Sequence, residues 1–415
     1  MTDIEVHIDL ASGLKRVGTL HRHLRRGGEA ISFEYHGTWL EDPACFSLEP
    51  ALSLGRGAFV PANGAPNFGS IGDSAPDTWG RRLMQRAERH RARREHRAVR
   101  SLQELDYLLG VSDISRLGAL RFRNPGEEIF QSATSVGVPG MVDLGRLLQV
   151  TERILRDEET DEDLQLIFAP GSSLGGARPK ASVIDQHGHL AIAKFPKETD
   201  EYSVELWESV ALTLAGQAGI RTPIHELIRV AGRPVMLSRR FDRTIVARIP
   251  FLSGLSMLGL KDGERGSYPE LVDILTTHGA QASADARELY RRMVLNVLIS
   301  NVDDHLRNHG FLWTGGKGWS LSPTYDLNPT PTDVCPRILT TNISLDDATC
   351  DIDLAISAAQ FFGLALREAK AAAREVAKVT ATWKEVASTA GAPTREIHRM
   401  ASAFEHNDLA RALAL

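Results

Sequence analysis

Alternating apolar and polar positions predict three strands near the start of the chain, at residues 4–10, 17–20 and 30–35. Asp73-Ser-Ala-Pro-Asp77 then supplies a polar cap, a proline in the first turn and early acidic charge, which predicts the start of a helix. A short helix at residues 102–110 and a strand at 118–122 complete a predicted β-rich domain over residues 1–125.

The pattern changes in the middle of the chain. Helical spacing at residues 141–159 is followed by an acidic connection, and the apolar run 164–168 predicts a strand that leads into a glycine-rich loop. Two more strands follow it, and then come an amphipathic helix at 203–216 and a hairpin within 224–237. These elements predict a second, smaller domain over residues 126–243.

The remainder, residues 244–415, is predicted to be mostly helical. Its helices include 284–300 and a long alanine-rich one near 366–387. A short hairpin pattern interrupts them after Asn308. The whole chain is therefore predicted to be an α+β protein with a sheet-bearing lobe and a larger helical lobe.

The composition limits the classes of protein and the cellular compartments that fit this chain. The 415 residues are 42% apolar and carry a net charge of −5, which argues against a protein that coats nucleic acid through charge alone. Three cysteines without CxxC spacing favour a reducing cytoplasm. No basic, apolar leader and no run of about 18 uncharged apolar residues is visible, so we expect neither a signal peptide nor a membrane span.

The strongest chemical signal is the run Asp303-Asp-His-Leu-Arg-Asn308, which directly follows an apolar helix. Asp303 and Asn308 have the D-x-x-x-x-N spacing of a protein-kinase catalytic loop, in which the aspartate accepts the substrate proton and the asparagine holds magnesium. Asp326, beyond the hairpin, stands where a kinase places a second metal carboxylate. His305 and His309 also have a spacing that suits zinc, but the sequence offers no HExxH motif and no third ligand.

Upstream, the chain has the other parts that such a site needs. The stretch Pro170–Lys180 is rich in glycine, which allows close backbone approach to phosphates, although hairpin turns use glycine more often. It lacks the Walker A spacing. Lys194 lies near the end of the next strand, and Ser238–Arg243 follows the later hairpin where a kinase has its adenine hinge. Their order along the chain favours a kinase.

Nine arginines lie between Arg81 and Arg100. A solvated helical face is the simpler interpretation, because Glu88 and Glu95 are interspersed with them. A docking surface for an acidic protein or for a nucleic-acid backbone is the alternative.

The motifs together resemble the HipA family of bacterial toxin serine/threonine kinases over essentially the whole chain. The segments that carry the resemblance are IGDSAPDTWGRRLM, SSLGGARPKA, LAIAKFP, SRRFDR, NVDDHLRNHGF, SPTYDLNPTP and AFEHNDLA. The resemblance implies a two-lobed protein-kinase-like fold with a family-specific, β-rich N-terminal subdomain and a mostly helical C-terminal lobe. It also implies dependence on ATP and magnesium.

The resemblance assigns roles to individual residues. Asp303 corresponds to the catalytic base, and Asn308 and Asp326 correspond to magnesium ligands. Ser173, or less favourably Ser172, corresponds to the serine that such kinases autophosphorylate. The positions that correspond to nucleotide contacts are Gly175, Gly176, Ala177, Arg178, Pro179, Lys180, Lys194, Arg239, Arg240, Phe241, His305 and Tyr325. Arg239 departs from the family's founding member, which has an acidic residue there, and this leaves adenine recognition to backbone groups.

The resemblance also implies partners. They are a HipB-like helix-turn-helix antitoxin, an aminoacyl-tRNA synthetase as protein substrate, and DNA reached only indirectly through the antitoxin. Two alternatives stay open at this stage: a kinase of small molecules, and a catalytically inactive corepressor bound to a DNA-binding partner.

Overall fold

A computed structural model of the chain describes residues 2–25, 28–131, 138–168 and 176–415. The strands in these residues are β1 (Thr2–Leu10), β2 (Gly13–Arg25), β3 (Gly28–Tyr35), β4 (Ala58–Phe59), β5 (Leu120–Arg123), β6 (Lys180–Ile184), β7 (Leu190–Lys194), β8 (His225–Val230), β9 (Arg233–Arg239), β10 (Phe251–Ser253), β11 (Gly310–Trp313) and β12 (Trp319–Leu321).

The α-helices are α1 (Gly37–Leu40), α2 (Gly69–Gly72), α3 (Thr78–Arg94), α4 (Glu104–Leu109), α5 (Leu144–Leu155), α6 (Asp161–Phe168), α7 (Val204–Gln217), α8 (Gly254–Met257), α9 (Tyr268–His278), α10 (Ala282–Leu298), α11 (Ile352–Ser357), α12 (Leu366–Thr380), α13 (Trp383–Thr389), α14 (Thr394–Phe404) and α15 (Asn407–Ala414). Short 3-10 turns lie at Ala62–Gly64, Met141–Asp143, Leu306–Asn308 and Ala358–Phe362. No helix in the described ranges is both long and apolar enough to cross a membrane.

Three sheets organise the strands. The first has the order β4-β3-β2-β1-β5, and its pairings β1–β2, β2–β3, β1–β5 and β3–β4 are antiparallel. The register pairs Ile4 with Leu20 and Leu20 with Phe33, and all three side chains are fully buried on one face. The other sheets have the orders β6-β7-β9-β8 and β10-β11-β12. The predicted N-terminal strands are thus present, and these apolar positions lie on one buried face of the sheet.

The chain divides into two compact units. The first contains Met1–Thr199 and Arg229–Leu252, and the second contains Asp200–Ile228 and Ser253–Leu415. The first unit therefore holds the five-stranded sheet together with β6, β7 and β9, and residues of both predicted N-terminal domains lie in it. The second unit holds α7 to α15 with β11 and β12, and it is mostly helical, as predicted.

The predicted strand at residues 164–168 is wrong, because these residues form the end of α6. Thr160 and Asp163 cap this helix reciprocally: the Thr160 backbone N–H donates to the Asp163 carboxylate at 3.0 Å, and the Asp163 N–H donates to Thr160 Oγ1 at 3.2 Å. Three acidic residues also lie in the first turn, where they favour the helix dipole. A short apolar run such as 164–168 is compatible with a strand or a helix, and the capping residues before it favour the helix.

The single long helix predicted over residues 366–387 is two helices, because α12 ends at Thr380 and α13 begins at Trp383. No glycine or proline marks this break. Trp383 is only 2% exposed, and its ring stacks on Phe404 with centroids 4.6 Å apart. The break between α12 and α13 thus coincides with the packing of the Trp383 side chain, and no residue in the local sequence predicts it.

Candidate active site

The end of α10 delivers the chain into the predicted catalytic loop. α10 buries Leu289, Met293 and Val297 along one face, as its helical spacing predicts, and it ends at Leu298. Two residues later Ser300 has a φ of +52°, a left-handed conformation that is uncommon outside glycine. This turn redirects the backbone directly before Asn301 and Asp303.

Hydrogen bonds hold the loop in a closed shape. The backbone carbonyl of Asp303 accepts from the His305 N–H and from Asn308 Nδ2, both at 3.0 Å. Outside the loop, Thr340 donates to the Val302 carbonyl, and Thr341 donates to the Asp304 carbonyl through both its N–H and its hydroxyl. The two ends of the D-x-x-x-x-N motif are therefore fixed to each other.

Asp304 lies in a structural environment. It is 2% exposed, accepts a hydrogen bond from the Tyr268 hydroxyl, and lies 3.1 Å from His309 Nε2. Tyr268 in turn accepts from Asn296 Nδ2 at 2.9 Å. Burial, together with the Asp304 charge, raises the pKa of Tyr268 far above its ordinary value, so this tyrosine stays a neutral donor.

Asp303 differs from its neighbour. It is exposed at the surface, yet protein around it removes enough water to raise the pKa of its carboxyl, and the charges of Asp326 and Asp304 raise that pKa further. His305 opposes this rise. A carboxylate with a raised pKa is a better proton acceptor at neutral pH than an ordinary aspartate, which suits a general base.

Asn308 is 5% exposed, and its Oδ1 is buried without a hydrogen-bond partner in the described part of the chain. A buried acceptor without a partner costs free energy and calls for an explanation. The carboxyl of Asp326 interacts electrostatically with Asp303, so a second carboxylate lies close to this loop. Oxygen acceptors of this kind fit magnesium, which Asn308 and Asp326 would hold.

Asp326 has a φ of +60°, a conformation that is rare for a non-glycine residue and often found at functional sites. Its backbone N–H donates to Glu208 Oε1 at 3.1 Å. Asn328 Nδ2 donates to both the carbonyl and the carboxyl of Asp326, at 3.2 and 3.3 Å. The neighbouring residues thus hold this carboxylate in one orientation.

The asparagines that connect these segments are not identified by any sequence motif. Asn301 is 1% exposed; it donates to Asn296 Oδ1 at 3.0 Å and accepts from the Asn328 N–H at 3.0 Å. Glu208, 2% exposed on α7, was also missed. The available signal was polarity at positions where helical periodicity requires apolar residues, as for Asn296 on α10 and Glu208 on α7.

The second unit contains two predicted nucleotide contacts, His305 within the catalytic loop and Tyr325 in the segment before Asp326. Tyr325 is 5% exposed and donates its hydroxyl to the Arg307 carbonyl at 2.6 Å, which ties the Asp326 segment to the catalytic loop. His305 begins the 3-10 turn Leu306–Asn308, and its Nδ1 is buried without a hydrogen-bond partner among the described residues. Asp303, His305, Asn308, Tyr325 and Asp326 therefore belong to one cluster of segments.

The first unit holds the two predicted lysines. Lys194 ends β7, where its backbone pairs with Lys180 of β6 and with Met236 of β9. Lys180 is 5% exposed, and its Nζ donates to Asp77 Oδ2 at 3.0 Å. Asp77 also caps α3 through the Gly80 N–H at 2.9 Å. The structure therefore gives Lys180 a buried carboxylate partner.

The described end of the glycine-rich stretch is attached to α3. Trp79 donates its backbone N–H to the Gly176 carbonyl at 3.3 Å and its indole N–H to the Lys180 carbonyl at 3.0 Å. Ala177 and Arg178 are half-buried, and Pro179 is buried and accepts from the Phe195 N–H at 3.0 Å. Ser172, Ser173 and Gly175 lie outside the described residues.

The side chains of the predicted hinge have protein partners. Arg239 donates to Asp185 Oδ2 at 3.0 and 3.2 Å. Arg240 is 2% exposed and donates to Asp242 and to the Ser115 carbonyl, while its backbone N–H donates to the Leu190 carbonyl. The Phe241 ring lies 6.4 Å from that of Phe251. Recognition of an adenine edge by backbone groups of this segment stays a prediction.

Comparison with known proteins is consistent with this organisation. Residues 172–390, more than half of the chain, match the family model of the HipA-like C-terminal domain. A protein of Haemophilus influenzae named "Putative kinase" is 25% identical over 181 residues, which cover 38% of this chain and 52% of that protein. A Sinorhizobium fredii protein named "Putative kinase Y4dM" is 30% identical over 153 residues, which cover 33% of this chain and 36% of that protein.

The fold itself matches a solved structure. HipA from Shewanella oneidensis MR-1, in a complex with HipB and operator DNA, aligns with 99% of this chain and 96% of its own, with a TM-score of 0.70 and 16% sequence identity. The chain thus has the two-lobed, kinase-like HipA fold that the motifs predicted. By its fold and by the match over its central and C-terminal residues, the chain belongs to the family of proteins with a HipA-like C-terminal domain.

Proposed function

We propose that this protein is a serine/threonine-protein kinase that uses ATP and magnesium and acts as a HipA-like toxin. The observation that carries the proposal is the arrangement of the catalytic loop. Asn308 keeps a buried oxygen without a partner among the described residues, beside Asp303, whose carboxyl has a raised pKa. The order of Lys194, Asp303, Asn308 and Asp326 along the chain supports the same reaction class.

The roles of the residues follow from their chemistry. ATP, with its magnesium, supplies an activated phosphoryl group. Asp303 accepts the proton of a substrate hydroxyl, which its raised pKa favours. Asn308 and Asp326 would hold the metal through oxygen atoms, and Lys194 would neutralise charge on the ATP phosphates. The hydrogen bonds from Asn328 and to Glu208 keep Asp326 oriented for this task.

The finer parts of the proposal rest on the family resemblance. The protein substrate is an aminoacyl-tRNA synthetase, whose phosphorylation on serine blocks its use of ATP and arrests translation. Ser173, or less favourably Ser172, is the autophosphorylation site. A HipB-like antitoxin neutralises the kinase; HipB is present with HipA in the matching Shewanella structure.

The test is phosphoryl transfer from labelled ATP in host lysate, comparing the wild type with Asp303→Asn. We expect the variant to lose about 10²-fold or more in rate, the scale of a positioned base. Asp346→Asn, which changes an exposed aspartate, is the control and should keep full activity. Mass spectrometry of the labelled product identifies the phosphorylated residue. Equal transfer by the wild type and Asp303→Asn would contradict the mechanism, and a labelled small molecule would contradict the protein substrate.

A further inference from the structure

The arginine-rich segment contains two kinds of arginine. Five of the nine between Arg81 and Arg100 form ion pairs within the first unit: Arg81 with Glu104, Arg86 with Asp157 and Glu159, Arg94 with Asp161, Arg97 with Glu88 and Glu95, and Arg100 with Glu88 and Asp106. The other four, Arg82, Arg89, Arg91 and Arg93, are exposed and form no ion pair with any described residue. The segment is therefore partly an ion-paired surface of the first unit and partly a solvated face whose arginines are available to a ligand.

Three of these four arginines share one face of α3. At 3.6 residues per turn, Arg82, Arg89 and Arg93 lie within about 40° of one another around the helix axis and extend over about 16 Å. Arg91 points to the opposite side. We call Arg82, Arg89 and Arg93 the basic stripe. Its positive charge stands out on a chain whose net charge is −5.

The chemistry of the stripe favours a phosphodiester backbone over a protein surface. The exposed residues of α3 beside the stripe, Thr78 and Gln85, are polar, whereas a protein–protein interface usually has an apolar core. Guanidinium groups match phosphate oxygens in both charge and geometry, and phosphate contacts require no apolar surface. We propose that the basic stripe binds the sugar-phosphate backbone of duplex DNA directly, without reading its sequence.

An acidic protein segment is the competing occupant. Beside Arg89 the surface has a cavity of about 290 Å³, and Val99, Leu102 and Tyr107 form part of its wall. A peptide with acidic residues and one apolar side chain would use both this cavity and the stripe, whereas DNA would use the stripe alone. Val99 is 56% exposed, so Val99→Asp changes the cavity with little effect on folding.

The experiment measures binding of the full-length chain to a fluorescein-labelled 30-base-pair duplex of random sequence by anisotropy, between 50 and 200 mM salt. Each phosphate contact contributes about 0.9 to the slope of log K against log salt. We expect Arg82→Gln/Arg89→Gln/Arg93→Gln to lower the magnitude of this slope by about 2.7 and to weaken binding most at low salt. Thermal melting confirms that each variant is folded.

The control removes the same charge elsewhere. Arg367, Arg374 and Arg395 are exposed arginines on α12 and α14 without ion pairs to described residues, and their triple glutamine variant should bind DNA like the wild type. Arg91→Gln, on the opposite face of α3, should also have little effect. Equal loss in the stripe and control triples, or an unchanged slope in the stripe triple, would overturn the proposal.

A further outcome would assign the stripe to protein instead. If the wild type bound no duplex at 50 mM salt but bound a labelled poly-glutamate peptide containing one phenylalanine, and if Val99→Asp weakened that binding, the DNA proposal would fail. Neither measurement involves phosphoryl transfer. The outcome is therefore independent of the proposed kinase activity.

Discussion

Two aspartates, one in each unit, show opposite ways of holding a carboxylate. Asp242 of the first unit is fully buried, and it accepts hydrogen bonds from Arg240 at 2.6 Å, from Arg243 at 2.7 Å and from the Gly118 N–H at 2.7 Å. Asp303 of the second unit is exposed, and no described side chain donates a hydrogen bond to its carboxyl.

Their pKa values move in opposite directions. Burial raises the pKa of Asp242, but Arg240, Arg243 and the hydrogen bonds outweigh it and lower the pKa to about 2. Asp303 is more exposed, yet the pKa of its carboxyl is raised, because the surrounding protein removes water from it and no arginine offsets that loss; the carboxylates of Asp326 and Asp304 add to the rise, and His305 opposes it. The partners of a carboxylate, and not its depth alone, therefore decide its protonation.

The comparison distinguishes a carboxylate that stabilises the fold from one that is available for proton transfer or metal binding. A carboxylate such as Asp242 is a poor base and a poor metal ligand, because four N–H groups already donate to its two oxygens. An open one such as Asp303 destabilises the fold slightly but can accept a proton. At the proposed active site, therefore, we expect function to coincide with acceptors that the described chain does not satisfy, of which Asn308 Oδ1 is one.

The largest effect is expected when Asp242 is removed. Asp242→Ala leaves Arg240 and Arg243 without their carboxylate partner in a buried site, which typically costs about 3–5 kcal/mol. We expect this loss in the free energy of unfolding measured with urea. Glu198→Ala, which breaks the exposed ion pair with Arg156 in the same unit, is the control and should cost far less. Similar losses in both variants would show that burial of the Asp242 pair is unimportant.

Acid should weaken the Asp242 interaction selectively. Its pKa is about 2 in the folded protein and about 3.8 when unfolded, so the ionised carboxylate contributes stability above pH 4 and loses it as the pH falls towards 2. That difference corresponds to about 2 kcal/mol. In urea unfolding between pH 6 and pH 3, the advantage of the wild type over Asp242→Asn should therefore shrink. A gap that is constant with pH would mean that the two arginines do not hold Asp242 ionised.

The sequence predicted those features of the site that depend on residues close together in the chain. Helical periodicity located α10, and the spacing of Asp303 and Asn308 identified the loop after it, since both signals lie within a short stretch of chain. The sequence also predicts different roles for Asp303 and Asp304, because only the first has the required spacing to Asn308. Asp304 is buried against Tyr268 and His309.

What the sequence did not predict depends on contacts between distant residues. Asp77 and Lys180 are 103 positions apart, so nothing local indicates that they form a buried ion pair. Asn301 and Asn328 are 27 positions apart and meet through a backbone N–H. The saturation of Asp242 by Gly118, 124 positions away, was equally invisible. Spacing identifies candidate groups, whereas their saturation is a property of the folded chain.

The smallest effect, and the sharpest test of the contrast, concerns Asp303 itself. A carboxyl whose pKa is raised on folding favours its protonated form, so the ionised group costs stability at neutral pH and this cost disappears as the pH falls through the raised pKa. Asp303→Asn should therefore be slightly more stable than the wild type at pH 7, by less than about 1 kcal/mol because the group is exposed. The measurement is urea unfolding with chelator and without nucleotide.

A double-mutant cycle tests whether repulsion between Asp303 and Asp326 contributes to this loss of stability. Because Asp326 raises the pKa of Asp303, Asp326→Asn should remove part of the same repulsion. The increases in the free energy of unfolding of Asp303→Asn and Asp326→Asn should then sum to more than the increase of the double variant. This difference should decrease at low pH. Asparagine also tolerates the left-handed conformation of Asp326, so this variant keeps the backbone. If Asp303→Asn were instead destabilised at pH 7, Asp303 would be a stabilising carboxylate like Asp242, and an unsatisfied carboxyl could no longer be used to distinguish the catalytic base from a structural one.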